Sequence, residues 1–127
     1  TVEMRSPDGS ADVYQLIAGL CVACRHGFEM EHSLDVAKAT FVDGDIHDEA
    51  HKQQLAALKS LPDSCAASAD CLERQREVFE KHGVFSPAMI DSILADLRSF
   101  NDRTLRTDVA NDPEAMEKLV KRFIHCG

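Results

Sequence analysis

With 127 residues and a formal net charge of −8, the chain is one domain-sized unit able to bury a core. Its acidity argues against a nucleic-acid surface, which needs clustered Lys and Arg, and no apolar run approaches the roughly 20 residues of a membrane helix. The opening carries Glu3 and Asp8 rather than the basic and apolar segments of a signal peptide, and five cysteines without other signs of a secreted scaffold read as reduced thiols in a cytoplasmic protein.

The first residues, near 1–6, are the only ones with strand character. Side chains alternate along a strand, so Glu3 and Arg5 share one face while Val2 and Met4 share the other. Ser6-Pro7-Asp8-Gly9 has proline second and glycine fourth, as a type I turn prefers. A helix then starts from Ser10 or Asp12, both good N-caps. A functional-looking pair so close to the start, with no sheet partners in the chain, reads as part of something larger.

The remainder is helical in pattern. Leu16 to Cys24 is apolar on nearly every side, which predicts a helix buried all round, with Gly27 as its stop. A second helix carries Leu34, Ala37 and Phe41 and ends near Asp43-Gly44. A third runs from about Asp48 to Lys59 with Leu55 and Leu58 inward, broken by Pro62. Asp63 or Ser64 caps a longer helix with Cys65, Leu72 and Phe79 spaced by seven, ended by Gly83. Ser86-Pro87 and Asp112-Pro113 each place a cap before proline at the first helical position. The first of these opens a face of Met89, Ile90, Ile93, Leu94 and Leu97. The second opens a stripe of Met116, Leu119, Val120, Phe123 and Ile124. The expected fold class is all-α, a bundle of about five to six helices preceded by a short N-terminal strand remnant.

Several residue groups invite a chemical reading. Cys21-Val22-Ala23-Cys24 is a C-x-x-C, but it falls inside an apolar helix rather than at the helix N-terminus where a redox motif gains its low thiol pKa. Cys65 and Cys71 are six apart and do not supply a matching zinc pair, so core packing is the expectation. His47-Asp48-Glu49-Ala50-His51 resembles the zincin H-E-x-x-H only in its outer histidines; Asp48 reads as a helix cap, and no third ligand is indicated. His125-Cys126-Gly127 and His26-Gly27 fit ordinary helix C-terminus chemistry. Glu73, Arg74, Arg76, Glu77, Glu80 and Lys81 read as a solvated face with local ion pairs. Glu3 is a hard oxygen ligand suited to Mg²⁺ or Mn²⁺, and Arg5 can grip a carboxylate or phosphoryl group with two parallel hydrogen bonds. From spacing alone, however, the two are simply an exposed ion pair of little energetic weight.

The wider sequence changes that balance. Glu3-Met4-Arg5-Ser6-Pro7-Asp8-Gly9-Ser10-Ala11-Asp12-Val13-Tyr14 resembles the glutamine synthetase signature E-x-R-x-P-D-x-x-A-N-x-Y at the end of the catalytic barrel. Gln15-Leu16-Ile17-Ala18-Gly19-Leu20, Ala23-Cys24-Arg25-His26-Gly27-Phe28-Glu29, Leu61-Pro62-Asp63-Ser64-Cys65-Ala66-Ala67-Ser68, Val84-Phe85-Ser86-Pro87-Ala88-Met89-Ile90 and Phe123-Ile124-His125-Cys126-Gly127 are similar to the large bacterial type III branch. Asp12 departs from the asparagine usual in type I members, which leaves the turn-to-helix role intact.

The resemblance implies a single C-terminal helical piece of a glutamine synthetase catalytic domain over 1–127, with the end of a barrel strand and a turn over 1–11 and helices over 12–127. It implies an ATP-dependent ligase joining ammonia to glutamate through γ-glutamyl phosphate, with ATP and Mg²⁺ or Mn²⁺ as cofactors. Glu3 would be a metal ligand and Arg5 a contact to substrate or the phosphoryl group, with Tyr14 and its helix holding the strand. The partners implied are the remainder of the subunit, further copies in a homo-oligomer, and the substrates; neither nucleic acid nor membrane is expected. The piece alone is expected to bind no cofactor and to be inactive. The alternatives are a stand-alone helical interaction or assembly module, and, more remotely, a zinc or redox bundle using Cys21, Cys24 and His51.

Overall fold

The computed structural model describes residues 3–43, 49 and 52–124. Among them the fold is all-α, with eight helices: α1 (Val13–Glu29), α2 (Ser33–Thr40), α3 (Lys52–Ala57), α4 (Cys65–Arg74), α5 (Arg76–Glu80), α6 (Pro87–Ser99), α7 (Leu105–Ala110) and α8 (Pro113–Phe123). Residues 3–6 are neither helix nor strand. An extended segment becomes a strand only through a hydrogen-bonded neighbour, and none is found among the described residues.

The helix starts follow from local chemistry. Asp12, rather than Ser10, caps α1, its carboxylate accepting from the N–H groups of Tyr14 and Gln15 at 2.9 and 3.0 Å. Ser64 caps α4 through Ala67 N at 3.1 Å. Ser86 accepts from Met89 N at 3.2 Å, and Asp112 from Glu114 N and Ala115 N at 3.0 Å each. Each satisfies donors that a helix start leaves orphaned.

The interiors depart from expectation more than the ends. α1 runs through Gly27 to Glu29, because Met30 N donates to His26 O at 3.0 Å and carries the helical ladder past the glycine. The helix expected from Ser64 to Gly83 is interrupted at Gln75, whose N–H is shared between Cys71 O and Leu72 O at 3.2 and 3.1 Å. Such a shared bond tightens the backbone locally and divides α4 from α5. This break and the short α7 raise the helix count above the expected five to six. Gly83 has φ of +67°, a left-handed conformation that a side chain would disfavour, so its role as the stop holds.

The core gathers where α4 packs on α6 and α1 on α5. Val22, Ala69, Phe85, Ile90 and Leu94 are buried in it. Ile90, Leu94 and Leu97 lie on one side of α6, spaced four and three residues apart, and Ala66 and Ala69 on α4 are small enough to let the backbones approach. Phe79 and Phe85 meet edge-to-face, with centroids 5.7 Å apart, the geometry ring quadrupoles favour.

Burial is one-sided elsewhere. Within α1 only Val22 is buried, which corrects the expectation of a helix covered all round. The α2 stripe is open too, with Leu34 and Phe41 exposed. The stripe of α8 rests on α7 and on a Phe100–Phe123 ring contact at 6.5 Å, and no residue of α8 is fully buried. The chain's accessible surface is 10488 Å² for a mass of 14.0 kDa, whereas folded monomers of that mass expose about 6,700 Å². No helix among the described residues is long and apolar enough to cross a membrane.

The α4 N-terminus is closed by a distant residue as well as by Ser64. Asp102, between α6 and α7, accepts from Cys65 N at 2.7 Å and Ala66 N at 3.0 Å. Those N–H groups hold the Asp102 carboxyl below the usual carboxylate range, against the opposing effect of partial burial. Because the folded value is depressed, this stabilisation is complete above the unfolded value of about 3.9 and fades as pH falls through the folded value. Asp102→Asn keeps an acceptor but not the charge. It is expected to lower the urea midpoint at pH 7 and to make that midpoint less sensitive to acidification below about pH 4; equal acid sensitivity in both proteins would contradict the assignment.

Candidate functional site

The segment before α1 is organised by short-range polar contacts. Asp8 Oδ1 accepts from the Ser10 N–H at 2.8 Å and the Ser10 hydroxyl at 2.5 Å, and Ala11 N donates to Asp8 O at 3.1 Å. The turn therefore closes over Asp8–Ala11, two residues beyond the expected Ser6–Gly9, because the aspartate side chain mimics a backbone turn. The Ser10 hydroxyl, then its N–H, holds the Asp8 carboxyl below its ordinary value.

Ahead of that turn, Glu3 and Arg5 lie side by side as alternation predicts. Arg5 Nε donates to Glu3 Oε1 at 3.0 Å and Arg5 Nη2 to Glu3 Oε2 at 3.1 Å. The pair is bidentate, with both side chains largely in solvent, 83% exposed for Arg5 and 66% for Glu3. Tyr14 is 88% exposed, so its ring does not clamp the segment. The Asp8 turn and the Asp12 cap are what join it to α1. The guanidinium fork, already matched to one carboxylate, has the shape to receive another carboxylate or a phosphoryl group in its place.

Mg²⁺ takes six oxygen ligands, usually one or two protein carboxylates with waters and substrate phosphates making up the rest. Glu3 is one carboxylate, already engaged by Arg5, and no group of three or more His, Cys, Asp or Glu able to hold a metal occurs among the described residues. The described residues alone do not fit a divalent ion.

Cys21 and Cys24, expected in the core, are free and exposed, because α1 presents only its opposite side to α5. Of His47-Asp48-Glu49-Ala50-His51 only Glu49 is described, and it pairs with Lys52; the histidines and Asp48 lie outside the described residues, as does His125-Cys126-Gly127. The charged run around α5 makes long-range contacts besides local ones. Arg76 reaches Asp91 at 2.6 Å and Pro87 O at 3.1 Å. Arg98 joins Glu73 at 2.7 Å and Arg103 joins Asp70 at 2.5 Å, and Arg103 is the chief reason the Asp70 carboxyl lies below its usual range.

Two clusters carry no sequence signal, because their members are far apart in the chain. Glu29, at the end of α1, accepts from Lys81 Nζ at 2.8 Å and lies 3.0 Å from His82 Nε2. The lysine contact is the main cause of the lowered Glu29 carboxyl pKa. A second hollow of about 560 Å³ is walled by Cys65, Phe100, Asp102, Leu105, Leu119 and Phe123 among others. Burial pushes the Cys65 thiol pKa up, and Asp102 adds to the shift. That makes Cys65 a poor nucleophile, since the thiolate is the reactive form.

Comparison with known proteins gives one family. Residues 1–112 match the family model described as glutamine synthetase, catalytic domain. No solved structure matches the chain.

Proposed function

The chain belongs to the glutamine synthetase catalytic-domain family, and on that footing we propose that it is the C-terminal part of an ATP-dependent glutamate–ammonia ligase. The observation that carries the reading is the Glu3-x-Arg5 pair ahead of Pro7-Asp8 and the Asp12-capped helix, inside the residues that the family model matches. The segments around Arg25, Pro62, Pro87 and Phe123 support the type III branch. Residues 1–11 are proposed as the end of a barrel strand and its turn, and 12–127 as the helical part of the same catalytic-domain piece.

In the full-length enzyme ammonia displaces phosphate from γ-glutamyl phosphate, made from glutamate and ATP. Arg5 is proposed to exchange its bidentate grip on Glu3 for the substrate carboxylate or the transferring phosphoryl group, holding it in line for attack. Glu3 is proposed as one carboxylate of a divalent-metal site whose other ligands are contributed from elsewhere in the enzyme. Mg²⁺ or Mn²⁺ would supply neutralisation of phosphoryl charge. A homo-oligomer acting in the cytoplasm completes the reading.

The test is glutamine formation by the full-length product with ATP, Mg²⁺, glutamate and ammonia, beside the 127-residue chain alone. The full-length protein is expected to form glutamine and the short chain none above a blank. Glutamine formed by the short chain would overturn its proposed dependence on the remainder. A full-length protein inactive with both Mg²⁺ and Mn²⁺ would favour a helical interaction module.

A further inference from the structure

The Glu3–Arg5 segment reaches α1 by one short path. Glu3, Met4, Arg5 and Ser6 are all exposed, and among the described residues the Glu3 and Arg5 side chains bond only to each other. Within those residues, the backbone that joins the pair to α1 is what sets its position.

That backbone is restrained at each step but one. The Pro7 ring locks its own φ at about −65°, and Ser6, ahead of a proline, is steered from helical to extended backbone. At the far end the Asp12 carboxylate fixes the entry to α1 through the N–H groups of Tyr14 and Gln15. Between them lies Gly9, the residue type with the most backbone freedom. There the restraint comes from a side chain. Asp8 Oδ1 takes both donors of Ser10, the N–H at 2.8 Å and the hydroxyl at 2.5 Å, while Ala11 N donates to the Asp8 carbonyl at 3.1 Å. Arg5 stands four residues before Gly9, up to roughly 13 Å along an extended chain, so a swing of about 5° at the turn displaces it by about 1 Å. A misplacement of that size costs on the order of 10²-fold in rate.

Resting on the ligase reading above, we infer that Asp8 is a positioning residue for the reaction. Through Ser10 it closes the turn at Gly9 and so sets the Arg5 fork and the Glu3 carboxylate against α1. It touches neither substrate nor metal.

The test follows glutamine formation by the full-length protein, with glutamate and Mg²⁺ each varied. Asp8→Ala is expected to lower kcat/KM for glutamate by about 10²-fold. Ser10→Ala removes one hydrogen bond to a charged group and should lower it by about tenfold. In both variants the KM for glutamate and the Mg²⁺ needed for half-maximal rate should rise together, because Arg5 and Glu3 move as a pair. Asp8→Asn keeps an oxygen that accepts the same bonds, and should stay within about threefold of wild type; Ser10→Thr, which keeps the hydroxyl, should do the same. A loss of kcat in proportion to folded protein, with KM unchanged, would make Asp8 a folding residue only and overturn the inference. Asp8→Asn as impaired as Asp8→Ala would make the charge itself the functional feature, and positioning would fall to direct contact with metal or substrate. Wild-type parameters in Asp8→Ala would also overturn it, leaving the ligase reading in place. A wild-type protein that forms no glutamine with Mg²⁺ or Mn²⁺ would instead remove that reading, and the inference with it.

Discussion

Glu3→Ala in the full-length protein is expected to lower kcat for glutamine formation by about 10²–10³, the cost of losing one preorganised group that stabilises developing charge. The expectation follows from the proposed role. In the described residues Glu3 meets only Arg5, so the substitution removes an exposed pair of little structural weight, and circular dichroism should be unchanged. Glu3→Asp keeps the charge but shortens the reach, and should recover part of the rate at raised Mg²⁺. Arg5→Lys keeps the positive charge while losing the planar fork, and should raise the KM for glutamate more than it changes metal dependence. If Glu3→Ala retained near-wild-type kcat and metal dependence, Glu3 would be no ligand and the motif would serve only to shape the turn.

The largest stability effect is expected at Ile90. Its side chain is 1% exposed and lies among Val22, Ala69, Phe85 and Leu94, where α6 meets α4. Truncating a fully buried isoleucine removes its transfer free energy and leaves a cavity that neighbours only partly fill, about 2–5 kcal/mol together. Against a typical total of about 5–15 kcal/mol for a domain, Ile90→Ala should shift the urea midpoint far to the left or unfold the protein near room temperature. Phe28→Ala removes a larger side chain that is 91% exposed. In the 127-residue chain it should leave the midpoint nearly unchanged, within about 0.5 kcal/mol. Equal effects from the two substitutions would mean that the α4–α6 contact is not the centre of the core.

The parts of this fold that were legible in the sequence are those decided within a few residues. Ser86-Pro87 and Asp112-Pro113 start helices as the sequence predicts, and Asp12 and Ser64 are the members of the pairs Ser10/Asp12 and Asp63/Ser64 that do so, because a cap needs only its own side chain and the next three N–H groups. Glu3 and Arg5 were placed on one side by alternation alone. Periodicity also identified which residues of α6 face inward. It could not tell whether an apolar face has a neighbour. The run in α1 therefore reads as buried, and Cys21 and Cys24 with it, although the described residues cover α1 on one side only. The break at Gln75 was invisible because no proline or glycine marks it; a shared hydrogen bond does. Asp102 was missed for the opposite reason, since its partners are 36 and 37 residues away and no local pattern announces a cap at that distance. Roles at Glu3 and Arg5 came from resemblance, because an exposed acid and arginine two residues apart are chemically unremarkable alone.

That long reach also sets an order of events during synthesis. In the chain Ser64 stands directly beside Cys65 and Ala66, whereas the carboxylate that takes their own N–H groups comes 37 and 36 residues later. The Asp102 half of the α4 cap therefore needs α6, and the connection that carries Asp102 back to it. Without it, the Cys65 and Ala66 N–H groups are left to water, as the first donors of an uncapped helix are. Completion of α4 is thus tied to the arrival of α6, so the two helices that form most of the core mature as one unit rather than in the sequence in which they are translated.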